Sequence, residues 1–209
     1  MNISNEISNY NETLEAGCRV IYGPHAASGY LLGICAEIAV QRPLRVLDFG
    51  NRCDMYFAAR HLRLLTHDPV RAMRNIRLQR AFTCYQALSL LRQLEEPEPD
   101  MPVIILDLLA PFLDENIQPR EIDRLFRASV EQIQNAMQTR PLLIGVKPIP
   151  QRLEMTRMGL LKWVTNEFGM LRLSESGSVE LPEPDTAQPS LFQGSGFREE
   201  GAGKGTAGK

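Results

Sequence analysis

A chain of 209 residues with 44% hydrophobic content is long enough for one well-buried domain and too short for two of ordinary size. A formal net charge of -2 excludes a global attraction to nucleic acid or anionic lipid, so any such binding must come from a local patch. The four cysteines, Cys18, Cys35, Cys53 and Cys84, include no C-x-x-C pair; that argues against a zinc site and against a disulfide framework, and reads as reduced, mostly buried thiols of a cytoplasmic protein.

In chain order, "MNISNEISNYNETLEAG" is polar and acidic, without the charged and apolar regions of a signal peptide, and residues 1–17 are expected to be flexible. No apolar run approaches the roughly 20 residues that a spanning helix needs, so no membrane partner is expected. From Arg19 onward apolar runs alternate with helical stretches, the pattern of a parallel sheet covered by helices on both faces. "RVIYG" is the first strand. Gly29 to Gln41 is the first helix, with Leu31, Leu32, Ile34, Cys35, Ile38 and Ala39 on a broad apolar face. "LRVLDF" is the second strand, "MYFAARHLRLL" a helix, "NIRLQRAF" a short third strand, and Cys84 to Leu94 a helix with Leu88, Leu91 and Leu94 on one side.

The acidic, proline-rich "EEPEPDMP" is a surface connector. "VIILDLL" is the most apolar strand, as a central parallel strand should be. A helix from Glu121 to Met137, the strand "PLLIGV", a loop-and-helix segment containing Trp163 and a last strand "MLRLSE" complete a core domain over residues 18–175. From Ser176 to Lys209, Gly, Pro, Ser and Glu dominate, and the composition predicts a disordered tail.

The segment "VIYGPHAASGYLLGICAEIAV" has the strand, glycine turn and helix of a phosphate-binding loop, with Gly23, Ser28, Gly29 and Tyr30 as its candidate cradle. A working loop of this kind reads G-x-x-x-x-G-K-[ST]: its backbone N–H groups hold phosphate, its lysine reaches the outer phosphates and its hydroxyl binds magnesium. Here Gly23 and Gly29 are one residue too far apart, and Tyr30 and Leu31 take the lysine and hydroxyl places. A phenol cannot neutralise a triphosphate, and leucine cannot coordinate a hard cation. Taken alone, this loop reads as a structural strand-to-helix turn.

Several stretches in one order resemble the ATPase core of RecA-like recombinases. "YGPHAASGYLLGICAEIA" is similar to the nucleotide loop and its helix, and "RVLDFGNRCDMYFAARHL" to the second strand and following helix. "NIRLQRAFTCYQALSLLRQL" is similar to the segment before the magnesium-binding strand of archaeal and eukaryotic recombinases and their paralogues. "VIILDLLAPFLDEN" resembles the magnesium-binding strand itself, with Asp107 after four apolar residues, and "LLIGVKP" the sensor strand. The resemblance spans about Arg19 to Leu173. It implies a three-layer, P-loop NTPase-like α/β core with a central, mainly parallel sheet, in which Val103 to Asp107 lies between Arg19 to Gly23 and Asn75 to Phe82.

The departures from that family carry the functional expectation. Its members place a glutamate just after the second strand to polarise the attacking water, but Asp48 is followed here by Phe49, Gly50 and Asn51. With the lysine, the hydroxyl and this acid all absent, phosphoryl transfer has lost most of its electrostatic support. No catalytic residue, no ATP hydrolysis and no cofactor are expected. Asp107 has two readings, a metal ligand or a strand-end carboxylate that caps backbone N–H groups. Lys147 replaces the family's polar amide and lies at the crevice where open α/β sheets bind ligands, or is an ordinary surface lysine.

The run Arg60, Arg63, His67, Arg71, Arg74, Arg77 and Arg80 is a local basic excess in an acidic chain. Arg71, Arg74 and Arg77, with Lys147, are the DNA-binding candidates; the alternative is a solvated helix face. Trp163 is either a stacking platform or core. His25, His61 and His67 have no metal-ligand spacing, and no G-x-S-x-G elbow is present. The expectation is a catalytically degenerate RecA-like accessory factor in DNA recombination or repair, acting through DNA, a RecA-like recombinase or self-association. Its alternative is a purely structural partner of a true recombinase. "VLDFGNRCD" also resembles the first motif of Rossmann-like methyltransferases, but Asn51, Arg52 and Cys53 stand where that turn wants glycines.

Overall fold

The computed structural model describes residues 17–24, 29–95, 100–173 and 179–180. Seven strands form one sheet: β1 (Gly17–Tyr22), β2 (Leu44–Asp48), β3 (Ile76–Arg80), β4 (Val103–Leu106), β5 (Pro141–Val146), β6 (Leu171–Leu173) and β7 (Val179–Glu180). Their order is β3-β2-β4-β5-β1-β6-β7. The first six are mutually parallel, and β7 pairs antiparallel to β6. The helices are α1 (Leu31–Gln41), α2 (Met55–Leu65), α3 (Pro69–Arg74), α4 (Cys84–Arg92), α5 (Pro119–Ala136) and α6 (Glu154–Phe168).

Parallel strands need crossovers, and the side chains say which face each crossover takes. Strand residues alternate across the sheet, and here they sort into two cores. Ile21, Leu44, Val46, Ile104, Leu106 and Leu143 pack with α1, α2 and α3. Val20, Leu47, Val103, Ile105, Leu142 and Ile144 pack with α4, α5 and α6. The result is an α/β fold of three layers, with β4 lying between β1 and β3 and flanked directly by β2 and β5.

The helix starts follow capping chemistry. Asp54 accepts hydrogen bonds from the Tyr56 and Phe57 amides at the head of α2. Thr83 accepts from the Gln86 amide, and Gln86 reaches back to the Phe82 amide at the head of α4, a close variant of the capping box. α6 ends at Gly169, whose φ of 67° suits a residue without Cβ.

Several boundaries differ from the sequence expectation. Helical backbone does start at Gly29, as expected: Gly29 and Tyr30 are π-helical and run directly into α1 at Leu31. The fourth strand stops at Leu106: Asp107 adopts a left-handed φ of 61°, which breaks the extended run "VIILDLL". α3 was not expected, although Asp68 caps it by accepting from the Arg71 amide and Pro69 occupies its first turn. α5 starts at Pro119, two residues ahead of the expected Glu121; within "MLRLSE" β6 spans Leu171–Leu173, and Ser174 and Glu175 lie outside the described residues. Of the tail expected from Ser176, Val179–Glu180 form β7; the rest of that tail and the N-terminal segment 1–16 lie outside the described residues.

α1 is the most enclosed helix. Leu31 to Ala36, Ile38 and Ala39 are buried on all sides, because the sheet covers one side and α2 and α3 cover the other. Each fully buried Leu or Ile there contributes about 1.5–3 kcal/mol of transfer free energy. That burial explains why its apolar face is so broad. Among the described residues no helix is long and apolar enough to cross a membrane.

Candidate functional site at the carboxyl ends of the strands

The chain leaves β2 toward α2 on one face and leaves β4 toward α5 on the other. In open α/β sheets such a divergence makes a crevice beyond the carboxyl ends of the strands. Asp48 ends β2, Asp107 follows β4, Lys147 follows β5, Gly23 follows β1 and Arg80 ends β3.

Asp48 is fully buried and saturated. One carboxylate oxygen accepts the Arg52 amide at 2.8 Å, and the other accepts the Cys53 amide at 3.1 Å and Arg80 Nε at 3.2 Å. Arg80 also reaches the Cys53 carbonyl at 3.5 Å. The pairing follows from register, since Asp48 and Arg80 are directly opposite on β2 and β3. The carboxylate therefore ties the loop after β2 to the edge strand. Burial, with the Asp48 charge adding to it, pushes the neighbouring Cys53 thiol up to about 11.

Asp107 sits differently. It is buried and left-handed, and burial raises its carboxyl pKa above the usual range despite the nearby Lys147 and Arg52 charges and a hydrogen bond from the Lys147 amide. Gly50 closes over it. A Cβ on Gly50 would lie 2.7 Å from both Cβ and Oδ2 of Asp107. The loop after β2 thus rests on the strand-end acid. The Lys147 amide is the backbone group that favours the charged form of Asp107. Among the described residues no three His, Cys, Asp or Glu side chains are grouped to hold a metal.

The phosphate-loop candidates divide. Gly23 donates its amide to the Val146 carbonyl at 3.1 Å, so that N–H extends the sheet and is spent. Tyr30 packs against the core around α1. A Cβ added to Gly29 would meet nothing within 4 Å, so space alone does not require glycine there. Ser28 and His25 lie outside the described residues.

The four DNA-binding candidates do not converge. Arg71 and Arg74 are exposed on α3. Arg77 lies on β3, where Ile76 and Leu78 face α1–α3, and the alternation therefore turns Arg77 to the opposite face, the one on which its neighbour Gln79 donates to Gln93. Arg77 is level with Arg45, Val103 and Leu142 across β3, β2, β4 and β5. Lys147 lies five residues beyond Leu142, so the two backbones are roughly 20 Å apart at about 3.3 Å per residue and 4.8 Å per strand. Arg80 is committed to Asp48. Trp163 packs edge-on against Phe126, with the Arg127 guanidinium 5.2 Å from its ring centroid; it belongs to the α5–α6 packing.

Sequence reasoning counted Asp48 and Arg80 separately, one as the residue before a missing base and one as part of a basic run. The signal that joins them is positional: an acid and an arginine each end a strand that is followed by a helix. No protein-family model and no curated protein matches the chain.

Proposed function

We propose that this chain is a catalytically degenerate RecA-like protein that serves DNA recombination or repair as an accessory factor, by holding a partner protein rather than by hydrolysing ATP. The observation that carries the reading is the state of the two strand-end acids: Gly50 lies against Asp107, while Asp48 is taken up by Arg80 and two backbone amides. The position of β4 between β1 and β3 is the one the recombinase resemblance calls for. Phosphoryl transfer needs fixed positive charge on the phosphates, a metal and an oriented water. In this crevice Gly50 lies against Asp107, and Asp48 is held by Arg80 and two backbone amides and so is not free to act as a base.

The dispersal of Arg71, Arg74, Arg77 and Lys147 over two faces and both ends of the sheet favours a partner-binding scaffold over a DNA-binding factor. A methyltransferase reading fares worse, because the acid at the end of β2 would have to be open to a cofactor, and Asp48 is fully buried. The test is phosphate release from ATP with magnesium, with and without single- and double-stranded DNA. Release stays at background in the expected outcome. Release above background that disappears in Asp107→Ala overturns the proposal.

A further inference from the structure

The outer side of α2 and α3 carries a composition that the crevice does not explain. On α2, Tyr56, Arg60, Arg63 and Leu64 recur at helical spacing along the solvent side, and α3 adds Val70, Arg71 and Arg74. Tyr56 is 86% exposed, Leu64 84% and Val70 64%. From Met55 to Arg74 the four arginines face a single acid, Asp68, in a chain whose formal net charge is -2. Asp68 accepts the Arg71 amide as a helix cap. None of the four guanidinium groups makes a hydrogen bond or ion pair with a described residue. α2 and α3 also adjoin each other and lie together over α1, so these side chains share one surface.

We infer that this α2–α3 surface docks an acidic protein segment with apolar anchors, whose carboxylates pair with Arg60, Arg63, Arg71 and Arg74 and whose aliphatic or aromatic side chains cover Leu64, Val70 and Tyr56. Charge complementarity sets the sign of the partner. Tyr and Arg are the residue types enriched where protein interfaces concentrate their binding energy. Phosphate backbones recruit cations and gain nothing from exposed leucine and valine. A lipid surface takes helices whose apolar and basic residues occupy separate faces, whereas here they are interleaved. Arginine suits the role because its planar fork pairs carboxylates bidentately. This inference rests on the scaffold reading for its setting, and phosphate release distinguishes the two: turnover defeats that reading without touching this surface.

The experiment is fluorescence anisotropy with the full chain and three labelled probes: a ~15-residue peptide of alternating Glu and Leu or Trp, a Glu-only peptide of equal charge, and a double-stranded oligonucleotide. At moderate salt the acidic-apolar peptide saturates and binds about tenfold more tightly than the Glu-only peptide. Arg60→Glu with Arg63→Glu, or Leu64→Ser with Val70→Ser, weakens it about tenfold while the thermal midpoint stays put, because all four side chains are exposed. Four outcomes overturn the inference: no saturation by the acidic-apolar peptide, equal affinity for the Glu-only peptide, tighter binding of the oligonucleotide, or affinity unmoved by the substitutions.

Discussion

Asp48 and Asp107 stand at the carboxyl ends of neighbouring parallel strands, both buried, yet their surroundings diverge. Asp48 has two backbone amides and a guanidinium within 3.2 Å. Asp107 has the Lys147 amide, the more distant charges of Lys147 and Arg52, and a glycine pressed against it; its pKa rises because burial outweighs that help. A buried carboxylate with a full set of donors fixes chain geometry, while one with too few is a standing cost to the folded state. The comparison separates an acid that builds the crevice from one that the crevice tolerates.

The largest effect expected from breaking this contrast is at Asp48. Asp48→Ala orphans the Arg52 and Cys53 amides and releases Arg80, for a loss of about 3–5 kcal/mol. The urea midpoint should fall while the slope of the transition stays unchanged. Asp48→Asn, which keeps acceptor capacity without charge, should fall between that variant and the parent.

Gly50 comes next. Its added Cβ would press on the Asp107 side chain close to the backbone, where little can move, so Gly50→Ala is expected to cost about 1–3 kcal/mol. Pairing it with Asp107→Gly tests the cause. That double variant should recover much of the loss, since the atoms in conflict are gone and glycine accepts the left-handed φ. No recovery would mean that Gly50 is needed for something other than clearance.

The smallest effect has the opposite sign. Burial raises the Asp107 pKa in the folded state, so the folded chain holds that proton more tightly than the unfolded chain does. Its favourable contribution is complete at low pH and is lost as pH rises through the folded pKa. Asp107→Asn removes the charge and retains a residue type that tolerates left-handed backbone. The variant should melt slightly above the parent at neutral pH, with the gap closing as pH falls through the carboxylate range. A lower midpoint at neutral pH would assign the Asp107 charge a stabilising role.

The layered fold was legible because period and apolarity report burial directly: "VIILDL" reads as a central strand, and α4 and α5 carry a clear apolar stripe. The site was legible as a list of end-of-strand residues and not as an arrangement. Asp48 and Arg80 are 32 residues apart, and only parallel register brings them together. The pleat decides that Arg77 leaves the company of Arg71 and Arg74, and spacing along the chain carries no trace of that. α3 had its cap and proline in plain view, but its six residues are too few for periodicity to speak.

The enclosure of α1 has a kinetic consequence. Cys35 lies on that helix with its thiol pushed up to about 12 by burial and by Cys53, so the native state presents almost no thiolate to an alkylating reagent near neutral pH. Cys84 is buried under the opposite layer, at the head of α4. Modification of either therefore waits on an opening of the layer above it. The two rates, followed in one sample, would time the loosening of each side of the sheet separately, with natural residues as the clocks.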